Sequence, residues 1–217
     1  MWAPLWLSLK ITACATALVA VTGIGLGYLL ARREFPGREL VDAIASAPIV
    51  MPPTVLGYYL LVMVGRNSPI GRTWEAVFGS PLVFSWQGAV LAASVASFPF
   101  CLRSVRAAVE AVDRRYEDVG RVMGLPAWRV AVQITLPLAR RGIMAGVALA
   151  FARALGDFGT TVMVAGNIPG RTQTMPIAVY DAVQAFEYDR AGTLAMVLLA
   201  VAVLVLIAVR RLERTVA

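Results

Sequence analysis

Histidine is absent from the 217 residues, lysine occurs once (Lys10) and cysteine twice (Cys14 and Cys101). Without histidine, and with no Cys-x-x-Cys spacing, zinc sites, haem ligation and Ser–His or Cys–His nucleophilic catalysis lack their parts. No metal site and no catalytic residue is expected. One widely separated cysteine pair in apolar stretches does not make a disulfide framework. Lys10 follows Leu9, so no Gly-Lys-Ser/Thr loop can bring an ammonium to a nucleotide's terminal phosphates. The chain is therefore not expected to hydrolyse ATP by that machinery, nor to hold a cofactor of its own.

Charge is also scarce, at 15% of residues against about 25% in soluble domains. What fills the space is apolar: 59% of the chain, with a mean hydropathy of +0.73. That is too much to bury in one soluble core of this length, and it excludes disorder, whose chains are poor in apolar residues. The composition predicts an all-α integral membrane protein with a single domain, residues 1–217.

Five apolar stretches are long enough to cross about 30 Å of hydrocarbon at about 1.5 Å per residue. They run from Ile11 to Ala31, Ala43 to Val64, Leu82 to Leu102, Gly142 to Ala165 and Ala191 to Val209. Pro48 and the Pro52-Pro53 pair should kink or unwind the second. The first is too long for a signal peptide and is followed by Arg32-Arg33, which fits a retained span. With the N-terminus outside, fourteen arginines fall in inside segments, and four (Arg66, Arg72, Arg171 and Arg190) fall outside. The positive-inside rule then puts the C-terminus in the cytoplasm. The net charge of +7 needs no nucleic acid to explain it, because the arginines alternate with spans. Trp74, Trp86 and Tyr188 suit the interfacial belt.

Between the third and fourth spans lies a cytoplasmic segment far longer than a hairpin needs. Glu117 and Asp118 suit a first helical turn, where they face the positive end of the helix dipole. Val119, Val122 and Met123 share one face at helical spacing. Gly124 is a natural stop, Pro126 suits the first position of a second helix, and Leu136-Pro137 ends that piece. The pattern predicts two short amphipathic helices meeting at a sharp bend, over about residues 106–137.

Asp118-Val119-Gly120, then Gly124, then Leu136-Pro137 resembles the EAA signature of ABC-importer permeases, with Asp in place of Glu and Val-Gly in place of two alanines. The resemblance extends to Phe35-Pro36-Gly37, Met51 to Tyr58, Phe84 to Val90, Ala150 to Gly159 and Asn167 to Thr174, which are similar to molybdate permeases. Sulfate permeases share parts of the last two. The resemblance implies a type I ABC-importer permease fold that carries molybdate or tungstate across the cytoplasmic membrane, with sulfate or another tetrahedral oxyanion as the alternative. It further implies a second copy of the chain, cytoplasmic ATPase subunits that bind ATP and Mg, an extracytoplasmic oxyanion-binding protein, and surrounding lipid. The coupling residues it points to are Glu117, Asp118, Val119, Gly120, Met123, Gly124, Pro126, Trp128, Arg129, Leu136 and Pro137. A stand-alone channel or secondary transporter would need no docking loop and often carries internal repeats, of which none is apparent.

A doubly charged oxyanion meets a barrier of tens of kcal/mol in a low-dielectric medium, so it requires a polar path. Candidates in or beside the spans are Thr54, at the proline-broken stretch, and Arg153, Asp157, Thr160 and Thr161. Arg153 and Asp157, four apart, can neutralise each other on one helix face. A structural pair, a direct anion contact and a gate are all open at this point.

Overall fold

The computed structural model describes residues 2–215. Side chains at 208–210 and 212–217 lie outside that description, so Arg210 and Arg214 enter the charge count from the sequence alone. Every regular element among the described residues is a helix. α1 (Trp2–Arg32) is a single helix of 31 residues. α2 (Arg38–Val50), α3 (Pro53–Val64) and α4 (Pro69–Phe78) follow. α5 (Trp86–Glu110) leads to α6 (Arg114–Val122) and α7 (Ala127–Val130). A π-helical turn (Ala131–Thr135), α8 (Leu136–Leu138) and α9 (Arg140–Leu155) come next. α10 (Gly159–Ala165), α11 (Met175–Gln184) and α12 (Tyr188–Thr215) complete the order.

Among the described residues, three helices are long and apolar enough to cross a bilayer alone: α1, α5 and residues 188–207 of α12. Residues 127–138 and 140–155, bent by 77°, make a fourth only if taken as one span. Of the five expected apolar stretches, the second is broken at its prolines as expected, and the fourth, expected as one span, is broken too. Stretch 43–64 is two helices because Met51 takes an extended backbone (ψ 135°), as a residue preceding proline prefers, and Pro53 then opens α3. Stretch 142–165 is also two helices, parted at residues 156–158.

α5 is the central helix, packed against α1, α9, α10 and α2. Ala89, Ala92, Ala93, Ala96 and Ser97 are buried along it, small side chains that let helices approach closely in an apolar solvent. The Ser94 and Ser97 hydroxyls donate back to the Val90 and Ala93 carbonyls, each at 2.7 Å, so both serve packing. α11 packs on α12 and α1, burying Met175 and Ile177, with the Met175 amide donating to Ser8 Oγ at 2.7 Å.

Candidate coupling bend and broken-helix site

The loop after α5 folds as the bent helix pair its pattern predicts. Asp113 caps α6, its carboxylate accepting from the Arg115 amide at 2.9 Å. α6 ends in a Schellman motif: Leu125 N–H donates to Gly120 C=O at 3.1 Å and Gly124 N–H to Arg121 C=O at 2.9 Å. Gly124 sits at φ +83°, a left-handed conformation in which a β-carbon is costly. Pro126 is the residue before α7 and not its first turn, a one-residue difference from expectation.

The two faces of the pair differ sharply. Val119, Val122, Met123 and Trp128 are exposed, Val122 at 89%. The Arg129 guanidinium lies 5.2 Å over the Trp128 ring. Asp118 is also exposed and pairs with Arg121 at 3.0 Å. Gly120 is buried, because a β-carbon there would meet Ile134 Cδ1 at 2.5 Å. The glycine that stands here in place of the signature's alanine therefore goes with how closely the second helix lies on the first.

Glu117 points the other way. It is 1% exposed and accepts from Arg32 Nε at 2.6 Å and from Thr135 Oγ1 at 2.9 Å. Arg32 Nη2 also donates to the Val112 carbonyl at 2.8 Å, and Arg121 approaches the second Glu117 oxygen at 3.4 Å. One carboxylate thus ties the end of α1, the end of α5, α6 and the π turn together. Sequence reasoning placed Glu117 in the loop but missed Arg32, whose charge was assigned to topology alone. The available signal was that Arg32 ends the first span at the depth where the loop begins.

The second piece ends one residue beyond Leu136-Pro137. The helix continues to Leu138, and the chain turns at Ala139. Proline has no amide to donate, and the preceding turn widens to π geometry, a usual accompaniment of a kink. The 77° bend follows.

A second constellation lies where α9 stops. Arg153 Nη1 donates to Asp157 Oδ1 at 2.9 Å, the pairing expected from their spacing. The shared helix face is corrected, however, because α9 ends at Leu155 and Asp157 stands in the break. There its other oxygen accepts from the Thr161 amide at 3.0 Å and the Thr161 hydroxyl at 2.7 Å. Asp157 is 3% exposed, so one buried carboxylate neutralises Arg153 and holds the first turn of α10. Thr160 is buried, and its hydroxyl has no partner among the described residues.

The two helix breaks meet. A β-carbon built on Gly159 would lie 2.8 Å from Pro53 Cβ and 3.4 Å from the Thr54 amide. Thr54, exposed at the start of α3, therefore adjoins the start of α10. The first amides of a helix have no intrahelical acceptor, so this junction offers N–H donors and a hydroxyl within an apolar region. Among the described residues, no cluster of His, Cys, Asp and Glu suited to a metal occurs.

A helical membrane protein with interrupted spans and a buttressed bend between α6 and α7 has the architecture of a membrane permease. The chain belongs to the family described as the binding-protein-dependent transport system inner membrane component, whose model matches residues 23–216. The family is a membrane permease subunit and not an enzyme. Among relatives, the molybdenum transport system permease protein ModB of Escherichia coli K12 is 46% identical over 183 residues, 84% of this chain and 80% of the relative. The sulfate transport system permease protein CysT of the same strain is 32% identical over 199 residues, 92% and 72% of the two chains. A chain of the inward-facing MetNI methionine ABC transporter matches with TM-score 0.78 at 20% identity, covering 99% of this chain and 94% of that one. A chain of a bacterial alginate ABC importer matches with TM-score 0.77 at 13% identity, covering 98% and 78%. The fold is that of a type I ABC-importer permease.

Proposed function

We propose that this chain is the membrane subunit through which an ATP-driven importer passes molybdate or tungstate into the cytoplasm. The observation that carries the mechanism is the two-faced bend: an exposed apolar surface at Val119, Val122, Met123 and Trp128, backed by the buried Arg32–Glu117 pair. A cytoplasmic ATPase that binds ATP and Mg occupies the exposed face. Its movement on nucleotide binding reaches α1 and α5 through Glu117. Asp118, Arg129 and Pro126 shape the rim of the contact, and the bend at Ala139 passes the motion into α9.

A second copy completes the path, since one chain offers three to four candidate spans among its described residues. An extracytoplasmic oxyanion-binding protein delivers the anion, and the N-terminus lies outside. The junction of Thr54, Thr160, Thr161 and the Arg153–Asp157 pair is the polar element nearest the broken helices. With Asp157 balancing the charge of Arg153, the pair sets the junction's shape, and the amides and hydroxyls meet the dianion.

The substrate reading rests on the names of the relatives, among which the molybdenum permease is more similar than the sulfate permease. The test is ATP hydrolysis by the reconstituted complex with its binding protein. Stimulation by molybdate or tungstate and not by sulfate is expected. Stimulation by sulfate alone would move the assignment to the alternative, and hydrolysis indifferent to all oxyanions would reject it.

A further inference from the structure

Two cavities lie one below the other along the groove between α1 and α5. The outer one, about 470 Å³, is bounded by Trp6 and Lys10 of α1, by Phe84 and Trp86 at the start of α5, and by Gly170 and Arg171. The inner one, about 360 Å³, is bounded by Leu18, Ile44, Pro48, Leu91, Val95 and Phe98. Their linings share stripes on both helices. Gln87, Leu91, Val95 and Phe98 recur every three or four residues on α5, as Leu7, Lys10 and Leu18 follow one side of α1. Lys10 stands eight residues above Leu18, a rise of about 12 Å. Half of a hydrocarbon core is about 15 Å.

The chemistry of the two cavities is complementary. The outer one carries two cations, and neither Lys10 nor Arg171 joins an ion pair among the described residues. Lys10 Nζ rests 3.7 Å over the Trp86 ring. The wall opposite is held in place: Phe84 adopts φ +57°, unusual for a side-chain-bearing residue, and its amide donates to the Val164 carbonyl at 3.0 Å. The inner cavity has only two hydroxyls in its lining, and both are already satisfied: Thr22 donates to Leu18 C=O at 2.8 Å and Ser94 to Val90 C=O at 2.7 Å. A free oxyanion would use the upper cavity and have no use for the lower. An amphiphile uses both.

We infer that this groove holds one anionic phospholipid per chain, its phosphate between Lys10 and Arg171 and an acyl chain along Leu18, Leu91 and Val95. Basic and aromatic residues at the level of the headgroups attract such lipids, and the apolar slot below adds a fixed position. The leaflet, but not the site, depends on the orientation proposed above, which makes it the outer one.

The test uses the assembled permease in nanodiscs of phosphatidylglycerol or phosphatidylcholine, transferred to detergent and read by native mass spectrometry. It needs neither ATP nor substrate, so it stands or falls apart from the transport assignment. One phosphatidylglycerol per chain should survive transfer, and phosphatidylcholine should not. Lys10→Gln with Arg171→Gln should weaken retention about 30-fold, about fivefold per cation. Leu18→Trp, which fills the inner cavity from an exposed position, should abolish retention with both cations in place. If that variant fails to assemble, Leu18→Phe serves the same purpose. Equal retention of the two lipids, survival of phosphatidylglycerol in the double variant, or indifference to the Leu18 changes would overturn the inference. So would displacement of the lipid by millimolar free molybdate or phosphate, which would make the upper cavity a free-oxyanion site.

Discussion

Glu117 Oε1 accepts a hydrogen bond from Arg32 Nε at 2.6 Å across 85 residues of chain, with side-chain exposures of only 2% and 7%. This pair turns a surface loop into part of the membrane domain. Removing one partner of a buried ion pair leaves the other uncompensated and costs about 3–5 kcal/mol. Glu117→Gln and Arg32→Gln should each lower thermal stability markedly. Arg32→Lys should lie between, keeping the charge while losing the fork that also reaches the Val112 carbonyl. Thermal unfolding of the purified permease checks the order; equal stability of all three with the wild type would mean the pair does not hold the loop.

Gly124 carries the turn between α6 and α7 at φ +83°. Nothing lies within 4 Å of a β-carbon placed there, so a substitution acts through backbone strain and not through a clash. Gly124→Val should cost about 1–2 kcal/mol, and Gly124→Asn, which tolerates this conformation, much less. A stability series in which Val and Asn behave alike would contradict the strain argument.

Asp157 serves two partners where Arg153 serves one. Asp157→Ala should therefore harm assembly more than Arg153→Ala, since it strands a cation and frees the Thr161 amide and hydroxyl together. Adding Arg153→Ala should recover only the part due to the stranded charge. Yield and monodispersity of the three variants give the comparison. Full recovery in the double variant would reduce Asp157 to a counter-ion.

Arg66 and Glu75 clip α4 to the end of α3, with Arg66 Nε donating to Glu75 Oε2 at 3.2 Å. That hydrogen bond holds the Glu75 carboxyl below its ordinary range. Because the folded value lies below the unfolded one, the clip contributes fully above the ordinary carboxylate pKa and is lost as pH falls through the lowered value. Trp74, stacked on Phe78 at 4.1 Å, reports on α4. Fluorescence from Trp74, with the other tryptophans replaced, should hold steady from neutral pH into mild acid and change only in stronger acid. Glu75→Gln should remove that acid transition.

The bend was legible because its parts are local: Gly124 needs only a turn conformation, and the exposed Val119, Val122 and Met123 need only helical spacing. The proline break at Met51–Pro52 was legible for the same reason. The break after Leu155 was not, since Arg153 and Asp157 at four-residue spacing look the same whether the helix continues or stops. In the break Asp157 holds the first turn of α10 through the Thr161 amide and hydroxyl, an arrangement set by buried geometry. The Arg32–Glu117 pair was hidden by distance in sequence. Arginine at the end of a span has a sufficient explanation in topology, and only packing assigns it a partner.

The most direct test of the bend as the coupling surface uses residues that the fold does not need. Val122 and Met123 are 89% and 77% exposed, so Val122→Asp and Met123→Asp should change stability by no more than about 1 kcal/mol, the cost of a carboxylate at the negative end of the α6 dipole. The measurement is oxyanion-stimulated ATP hydrolysis by the complex purified with each variant. Loss of stimulation or of the ATPase itself, with an intact permease, is the predicted result. Wild-type ATPase retention with wild-type stimulation in both variants would contradict it.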